Sequence, residues 1–181
     1  MASPIGSKRN VKIFVLYLMD NIHYPLDYIT INDIVMQTDY VMYLDFAESF
    51  NEMLDGGLIE KVDTNGEETY VVTERGRCVA RELNSDIISS ILDKSLSCAL
   101  RYLDFKKRGI TAKCHSEKRE DGRYDLTCSF IEQGEVIFHT TVVIDSLNRV
   151  ERMKENFRDR PEVIYRGVLA LLAGNVNFLF D

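Results

Sequence analysis

The strongest constraint on the fold is a hairpin signal in the first half of the chain. Two β-prone segments, residues 58–62 and 69–72, flank the dipeptide Asn65-Gly66. Asn-Gly favours a tight turn between antiparallel strands because both residues tolerate positive φ. Thr73 follows the second segment, where its side chain suits a helix N-cap. The region is therefore predicted to be a β-hairpin that leads directly into a helix ending near Leu83.

Three helical segments are predicted before this hairpin. The first begins near Val11 and is apolar on more than one side, so a dimer partner or the second domain is expected to cover it. After a short strand at residues 28–30, Thr30 is predicted to cap the second. The third spans residues 40–55, capped by Thr38-Asp39 and ended by Gly56-Gly57.

Three helices followed by a β-hairpin is the order of a winged helix-turn-helix. Residues 51–59 (NEMLDGGLI) and 70–76 (YVVTERG) resemble the third-helix exit and wing exit of bacterial winged-helix transcriptional regulators. Together with residues 14–20 (FVLYLMD), they resemble an uncharacterised winged-helix family of clostridial bacteria, a domain of unknown function. The resemblance covers most of the chain, with its specific phrases between residues 11 and 80. It implies a fold and a regulator role, but no activity or site residues.

The second half is predicted to be a separate α+β domain. Ser85 is expected to cap a helix that ends at residues 106–109. The apolar face of this helix is formed by Ile88, Leu92, Leu96, Ala99 and Leu103. Three antiparallel strands are predicted at residues 110–119, 123–132 and 135–144, followed by helices at about 146–158 and 161–173. The predicted domains are thus a winged helix at residues 1–85 and a dimerisation or ligand-sensing domain at residues 86–181.

Charge argues against the function that this fold suggests. The chain has 22 Lys and Arg against 29 Asp and Glu, a net charge of −7. Residues 1–85 hold seven of these cations and fourteen of these acids, whereas residues 86–181 hold fifteen of each. The whole acidic excess therefore lies on the predicted DNA-binding domain, although nucleic-acid binding normally relies on a basic surface.

The first functional hypothesis is a DNA-binding transcriptional regulator that forms a homodimer. The third helix would enter the major groove, while an N-terminal arm and the wing would contact phosphates. The expected nucleic-acid-binding residues are Lys8, Arg9, Lys12, Tyr40, Tyr43, Asn51 and Lys61. The cations are equally compatible with an ordinary solvated surface. The outward positions of the third helix are Leu44, Asp45, Glu48, Asn51, Glu52 and Asp55, and four of these six are acids.

The second hypothesis keeps the winged helix but gives it a protein partner. Acidic helix faces pair well with Lys- or Arg-rich surfaces. The expected partner-binding residues are then Asp45, Glu48, Glu52 and Asp55.

The sequence contains no recognisable catalytic or cofactor motif, so a non-enzymatic protein without a cofactor is expected.

In the second domain, a three-residue turn would set Cys114 opposite Cys128, and a two-residue turn would set Cys128 opposite His139. Two thiols and an imidazole suit a soft metal, but a flat row lacks a fourth ligand, and core thiols beside a partly buried His are favoured. The short apolar runs and the lack of CxxC spacing indicate a soluble, cytoplasmic protein with reduced cysteines.

Overall fold

Seven α-helices and five β-strands are found in residues 3–179, the part of the chain that the computed structural model describes. The backbone divides into two units, Met1–Tyr102 and Leu103–Asp181. The predicted α+β class is confirmed. The boundary predicted after Ser85 was a boundary between two domains that fold separately, and that boundary stays a prediction. None of the described helices is long and apolar enough to cross a membrane.

The first unit contains most of the helices. In chain order its elements are α1 (Lys8–Ile22), α2 (Tyr28–Met36), α3 (Tyr43–Asp55), β1 (Ile59–Thr64), β2 (Glu67–Val72), α4 (Glu74–Leu83), a 3-10 turn (Asn84–Asp86) and the start of α5 (Ser89–Lys107).

Helix α1 is buried on several sides. Its N-cap is Ser7, whose side chain accepts a hydrogen bond from the backbone N–H of Asn10. Ile13 and Leu16, which were expected to need a further covering surface, are only 1% and 0% exposed. Helices α3 and α4 and strand β2 all pack against α1. A second copy of the chain is therefore not needed to bury this helix, and that alternative is wrong for α1.

An aromatic cluster joins α2, α3 and the hairpin. The ring of Phe50 makes edge-to-face contacts with Tyr28 and Tyr70, each with ring centroids 4.9 Å apart. Phe46 lies beside Tyr28 and Phe50 and is fully buried. Such pairs add to the free energy gained by burying the rings. The cluster fixes which face of α3 points inward.

The start of α2 differs from the prediction. The β-branched residues Ile29 and Thr30 favour a strand in isolation, but they lie in the first turn of α2. Asp27, rather than Thr30, is the N-cap and accepts a hydrogen bond from the backbone N–H of Thr30 at 2.8 Å. Residues 28–30 therefore form no strand, and it is Leu26 that forms an isolated antiparallel bridge with Tyr70 of β2.

Helix α3 also begins later than predicted. Asp39 has a φ of 55° and does not act as an N-cap, and the helix starts at Tyr43 after the N-cap residue Met42. The residues before it are held by the N-terminal segment instead. The backbone N–H of Ile5 donates to the carbonyl of Tyr40, and the N–H of Met42 donates to Ser3 Oγ, both at 2.9 Å.

The hairpin and the helix after it are as predicted. Asn65 and Gly66 both have positive φ, at 58° and 86°, and they join β1 to β2. Thr73 caps α4 by accepting a hydrogen bond from the N–H of Gly76. Its Oγ1 also donates to the carbonyl of Leu58 at 3.1 Å. These bonds tie the exit of the hairpin to its entrance.

Helix α5 begins three residues later than predicted. Residues 84–86 form the 3-10 turn, so Ser85 is not the N-cap of α5, which starts at Ser89. Ile88 accordingly lies outside the helix and is 67% exposed, although it was expected on the apolar face. Leu92, Ala99 and Leu103 are buried as predicted.

The second unit is a three-stranded antiparallel sheet with helices. The strands β3 (Thr111–Lys118), β4 (Tyr124–Glu132) and β5 (Glu135–Ile144) lie in chain order and precede α6 (Leu147–Asp159) and α7 (Pro161–Leu172). Phe130 of β4 is fully buried and stacks on Phe157 of α6, with ring centroids 4.8 Å apart. The three strands and two helices follow the predicted ranges closely, because each is bounded by local turn or capping residues.

Candidate nucleic-acid interface

Helix α3 has one face in the core and the opposite face in solvent. Phe46 and Phe50 are buried, whereas Tyr43 and Leu44 are 56% and 70% exposed and Asn51 is exposed as well. The aromatic cluster described above sets this orientation. The exposed face of α3 near its N-terminus is therefore apolar and uncharged.

The N-terminal segment covers the first acid of α3. Ser3 donates two hydrogen bonds to Asp45 Oδ2, from its backbone N–H at 2.9 Å and from its Oγ at 2.5 Å. The side-chain hydrogen bond from Ser3 is the main cause that lowers the pKa of Asp45. Asp45 is half-buried because Ser3 covers it, whereas Glu48 and Glu52 are exposed. Asp45 fixes the N-terminal segment against α3.

Two ion pairs join α1 to the acidic side of α3. Lys8 pairs with Glu48, and Lys12 Nζ lies 2.9 Å from Glu52 Oε2. Hydrogen bonding to Glu48 raises the pKa of Lys8, and hydrogen bonding from Lys12 lowers the pKa of Glu52. These pairs join two predicted phosphate-binding cations to two predicted partner-binding acids. Residues proposed for DNA binding therefore contact residues proposed for binding a protein partner.

The other two predicted cations are paired as well. Arg9 Nη2 lies 2.9 Å from Asp86 Oδ2 of the 3-10 turn. On the hairpin, Lys61 pairs with Glu68 across β1 and β2. All four cations of the predicted nucleic-acid set are therefore in ion pairs.

The cations of α4 complete this pattern. Arg77 and Arg81 each place Nε 3.4 Å from Asp20 of α1, a carboxylate with little exposure. Arg75 donates to the carbonyl of Gly56 at 3.1 Å. Each of the seven Lys and Arg in residues 1–85 consequently contacts an acid or a backbone carbonyl. Exposed ion pairs are weak, so a competing anion can exchange with the acid at modest cost.

The uncharged predicted residues lie in different environments. Tyr40 is half-buried before α3, which fits a packing role. Tyr43 is exposed, and it lies close enough to Tyr28 to contribute to the raised pKa of Tyr28, which is caused chiefly by burial. Asn51 is exposed and donates to the carbonyl of Ala47 at 3.1 Å, while Asp55 is exposed at the end of α3.

The pairing between α1 and α3 was missed in the sequence, although it left a signal. Lys8 and Lys12 are four residues apart, and so are Glu48 and Glu52. Residues four apart lie on one face of a helix. Each helix thus carries a short charged stripe, and the two stripes have opposite signs. The contribution of Ser3 had no comparable signal, because its position depends on the packing of the N-terminal segment.

Comparison with known proteins gives one match. Residues 11–172 match a protein family described as a domain of unknown function, DUF4364. The chain belongs to this family. No curated protein and no solved structure matches it. The resemblance of this DUF4364 chain to an uncharacterised family is thereby confirmed, while a clostridial origin and a relation to winged-helix regulators stay predictions.

The predicted Cys and His row of the DUF4364 chain is only half correct. Cys114 lies opposite Cys128 as predicted. A register shift between Phe130 and Ile131 pairs Cys128 with Thr140, and His139 pairs with Ser129. Because neighbouring strand residues point to opposite faces, His139 lies on the other side of the sheet. Among the described residues, no group of three or more His, Cys, Asp and Glu side chains is arranged to hold a metal ion.

Proposed function

We propose that this chain is a non-enzymatic regulator whose first unit is a winged helix-turn-helix that binds DNA through α3. The observation that carries this proposal is the arrangement around the hairpin. Three helices precede β1 and β2, and Leu26 adds a bridge to the outer side of β2 at Tyr70. A helix-turn-helix places its recognition helix in the major groove with the N-terminal residues at the base edges. In this chain α3 is the helix with an exposed outer face in that position.

The outer face of α3 carries groups that read bases. An Asn side chain can donate to and accept from adenine, and an apolar side chain can contact the methyl group of thymine. Asn51 and Leu44 supply these groups, and Tyr43 supplies a hydroxyl near the start of the helix. Because none of the three is charged, their contacts favour sequence discrimination over general attraction to phosphate.

The ion pairs determine how such binding would depend on charge. Lys8 and Lys12 must leave Glu48 and Glu52 before they contact phosphates. Non-specific affinity comes mostly from cations that neutralise phosphates and release counterions. We therefore expect weak non-specific binding and a greater dependence on the sequence read by α3.

A substitution at Asn51 tests whether α3 reads bases. Asn51→Ala should lower affinity for a selected genomic fragment about tenfold, since one good base contact contributes on this scale to discrimination. Affinity for an unrelated fragment should change little. Fluorescence anisotropy with both fragments measures the ratio. Asn148→Ala, at an exposed position on α6, is the matched control. Equal losses on both fragments would show that Asn51 does not read sequence.

A protein partner is the second candidate, and exposed apolar side chains favour it. Met42, Tyr43 and Leu44 are adjacent and exposed at the start of α3. Such groups are common at protein interfaces. Of the four acids proposed for this role, Asp45, Glu48 and Glu52 have partners within the chain, and Asp55 is exposed at the end of the helix. A Lys- or Arg-rich partner would thus compete for the same ion pairs as a phosphate.

The homodimer remains part of the proposal, and α7 is the helix on which we would test it. Val163, Leu169, Leu171 and Leu172 of α7 are exposed, Leu172 to 78%. Changing Leu169 and Leu172 together to Lys should convert a dimer into a monomer, measured by light scattering after size exclusion. Leu147→Lys on α6 provides a control at another exposed Leu. A monomer mass for the unaltered chain at about 10 μM would contradict the dimer.

A further inference from the structure

Two cysteines of the second unit face each other across neighbouring strands. Cys114 of β3 and Cys128 of β4 are direct partners in the antiparallel register. Their sulfur atoms are 3.0 Å apart. Cys114 is half-buried and Cys128 is buried, and both belong to or border the core of this unit. Neither the proposed DNA contacts nor the proposed dimer uses this pair.

The backbone already holds these cysteines at a distance suited to a covalent bond. Directly opposite residues of an antiparallel pair have Cβ atoms about 4.5–5.5 Å apart. A disulfide requires Cβ atoms near 4 Å and sulfur atoms about 2 Å apart. The sulfur atoms of Cys114 and Cys128 must therefore approach by roughly 1 Å, which rotation of the two side chains supplies together with a small movement of β3 toward β4.

We propose that Cys114 and Cys128 form a reversible disulfide within the chain when a peroxide reaches the second unit. Two electrons pass from the two thiols to the O–O bond of the peroxide. Cys114, the more exposed thiol, attacks first as its thiolate, forms a sulfenic acid and releases hydroxide. The sulfur of Cys128 then attacks the sulfur of Cys114 and displaces the sulfenic oxygen as water. The complete reaction consumes two thiols and one hydrogen peroxide and yields one disulfide and two waters.

The second step is expected to be slow and to accelerate with pH. Burial and the contact with Cys114 raise the pKa of Cys128 to about 12. A thiol attacks through its thiolate, so the reactive fraction of Cys128 increases as the pH rises toward that value. Beside Cys128 on β4 lie the apolar Leu126 and Phe130, and Thr140 lies opposite it on β5. On α6, Lys154 stands between the buried Val150 and Phe157, with its side chain 16% exposed and paired with Glu151. The pH dependence of the second step is therefore assigned to the thiol of Cys128.

The other two cysteines serve as internal controls. Cys78 is exposed on α4, and Cys98 on α5 lies 3.2 Å from Arg101 Nη2. Both are on helices, and neither has a cysteine opposite it in a strand register. Cys78 should be the thiol that reagents reach most easily. If solvent accessibility alone decided the reaction, Cys78 would be oxidised first. If the proximity of two thiols decides it, the product is the disulfide between Cys114 and Cys128.

The test uses the full chain, reduced and then freed of reductant. Hydrogen peroxide is added and removed, the chain is unfolded in urea so that the buried Cys128 is accessible, remaining thiols are blocked with iodoacetamide, and peptides are analysed by mass spectrometry. We expect a peptide pair linked through Cys114 and Cys128, about 2 Da lighter than the two reduced peptides, which dithiothreitol restores. Oxidised chain should unfold at a temperature higher by on the order of 5 °C, since the bond closes a loop in the unfolded state.

Variants separate this pair from general oxidation. Cys114→Ser and Cys128→Ala should each abolish the cross-link, with circular dichroism confirming that the variants fold. The double variant Cys78→Ser and Cys98→Ser should retain it. The proposal is overturned if peroxide leaves Cys114 and Cys128 open to alkylation, or if the cross-link formed involves Cys78 or Cys98.

Discussion

Replacing Glu48 and Glu52 together with Gln should strengthen DNA binding and make it more sensitive to salt. The double substitution removes the partners of Lys8 and Lys12 and leaves both cations free to contact phosphates. Each phosphate contact adds about 0.9 to the slope of log affinity against log salt, so two contacts steepen it by about 2. The ratio of variant to unaltered affinity should therefore grow about tenfold as salt falls from about 200 to 50 mM.

A control must separate this local effect from the change in net charge. Asp145→Asn with Glu151→Gln removes two acids that form ion pairs with Arg149 and Lys154 on α6. It changes net charge by the same amount, on the second unit. If this control steepens the salt dependence as much as the α3 variant does, the ion pairs between α1 and α3 do not restrain the cations. Fluorescence anisotropy at four salt concentrations measures both slopes.

Gly76→Ala adds only one methyl group, but it should be among the most destabilising substitutions of that size in the first unit. A Cβ atom at Gly76 would lie 2.1 Å from the carbonyl oxygen of Leu58 and 2.7 Å from Val72 Cγ1. The oxygen belongs to the backbone and is already held by two hydrogen bonds from Thr73. The helix α4 must therefore move away from the hairpin, at a cost of about 3 kcal/mol, the upper end of the usual range for overpacking. Urea unfolding of the full chain, followed by circular dichroism, measures the loss.

Gly66→Ala is the matched comparison for this change. Gly66 has a φ of 86° in the hairpin turn, but a Cβ there meets no other atom within 4 Å. Its cost is confined to the left-handed backbone, about 1–2 kcal/mol. Similar losses in the two variants would mean that the contact between α4 and Leu58 is loose. Since α4 carries the cap that ties the hairpin together, Gly76→Ala should also weaken any binding that depends on the first unit.

Local signals in the sequence were sufficient for much of the secondary structure. The turn at Asn65-Gly66 and the cap at Thr73 depend only on residues close in the chain. The opposition of Cys114 and Cys128 followed from the length of one turn. In each case, the residues that decide the conformation lie within the segment itself.

An overlooked cap, packing and a strand irregularity account for the expectations that failed. Ile29 and Thr30 favour a strand by composition, but the cap at Asp27 and the burial of one face place them in α2. The irregularity between Phe130 and Ile131 moves His139 to the other face of the sheet, and nothing in the turn sequence signals it. Propensity is a weak guide where packing decides the outcome.

The sequence predicted most of the residues of the candidate site, but it did not predict the contacts between them. Glu48, Asn51, Glu52 and Asp55 lie on the exposed side of α3 as expected. Asp45 borders that side but is half-buried, because Ser3 covers it from a distant part of the chain. The acidic excess of residues 1–85 looked like a direct obstacle to DNA binding. Pairing with Lys8 and Lys12 neutralises part of it on α3 and withdraws the same two cations from solvent.

The most direct test of DNA binding is a salt titration of the unaltered full chain with fragments of its own genome. Fragments retained at low salt are labelled, and affinity is measured by anisotropy between about 25 and 300 mM salt. We predict binding with a slope shallower than about −4, because the four proposed phosphate-contacting cations are in ion pairs. No retained fragment and no binding at the lowest salt would contradict the proposal and favour a protein partner for α3.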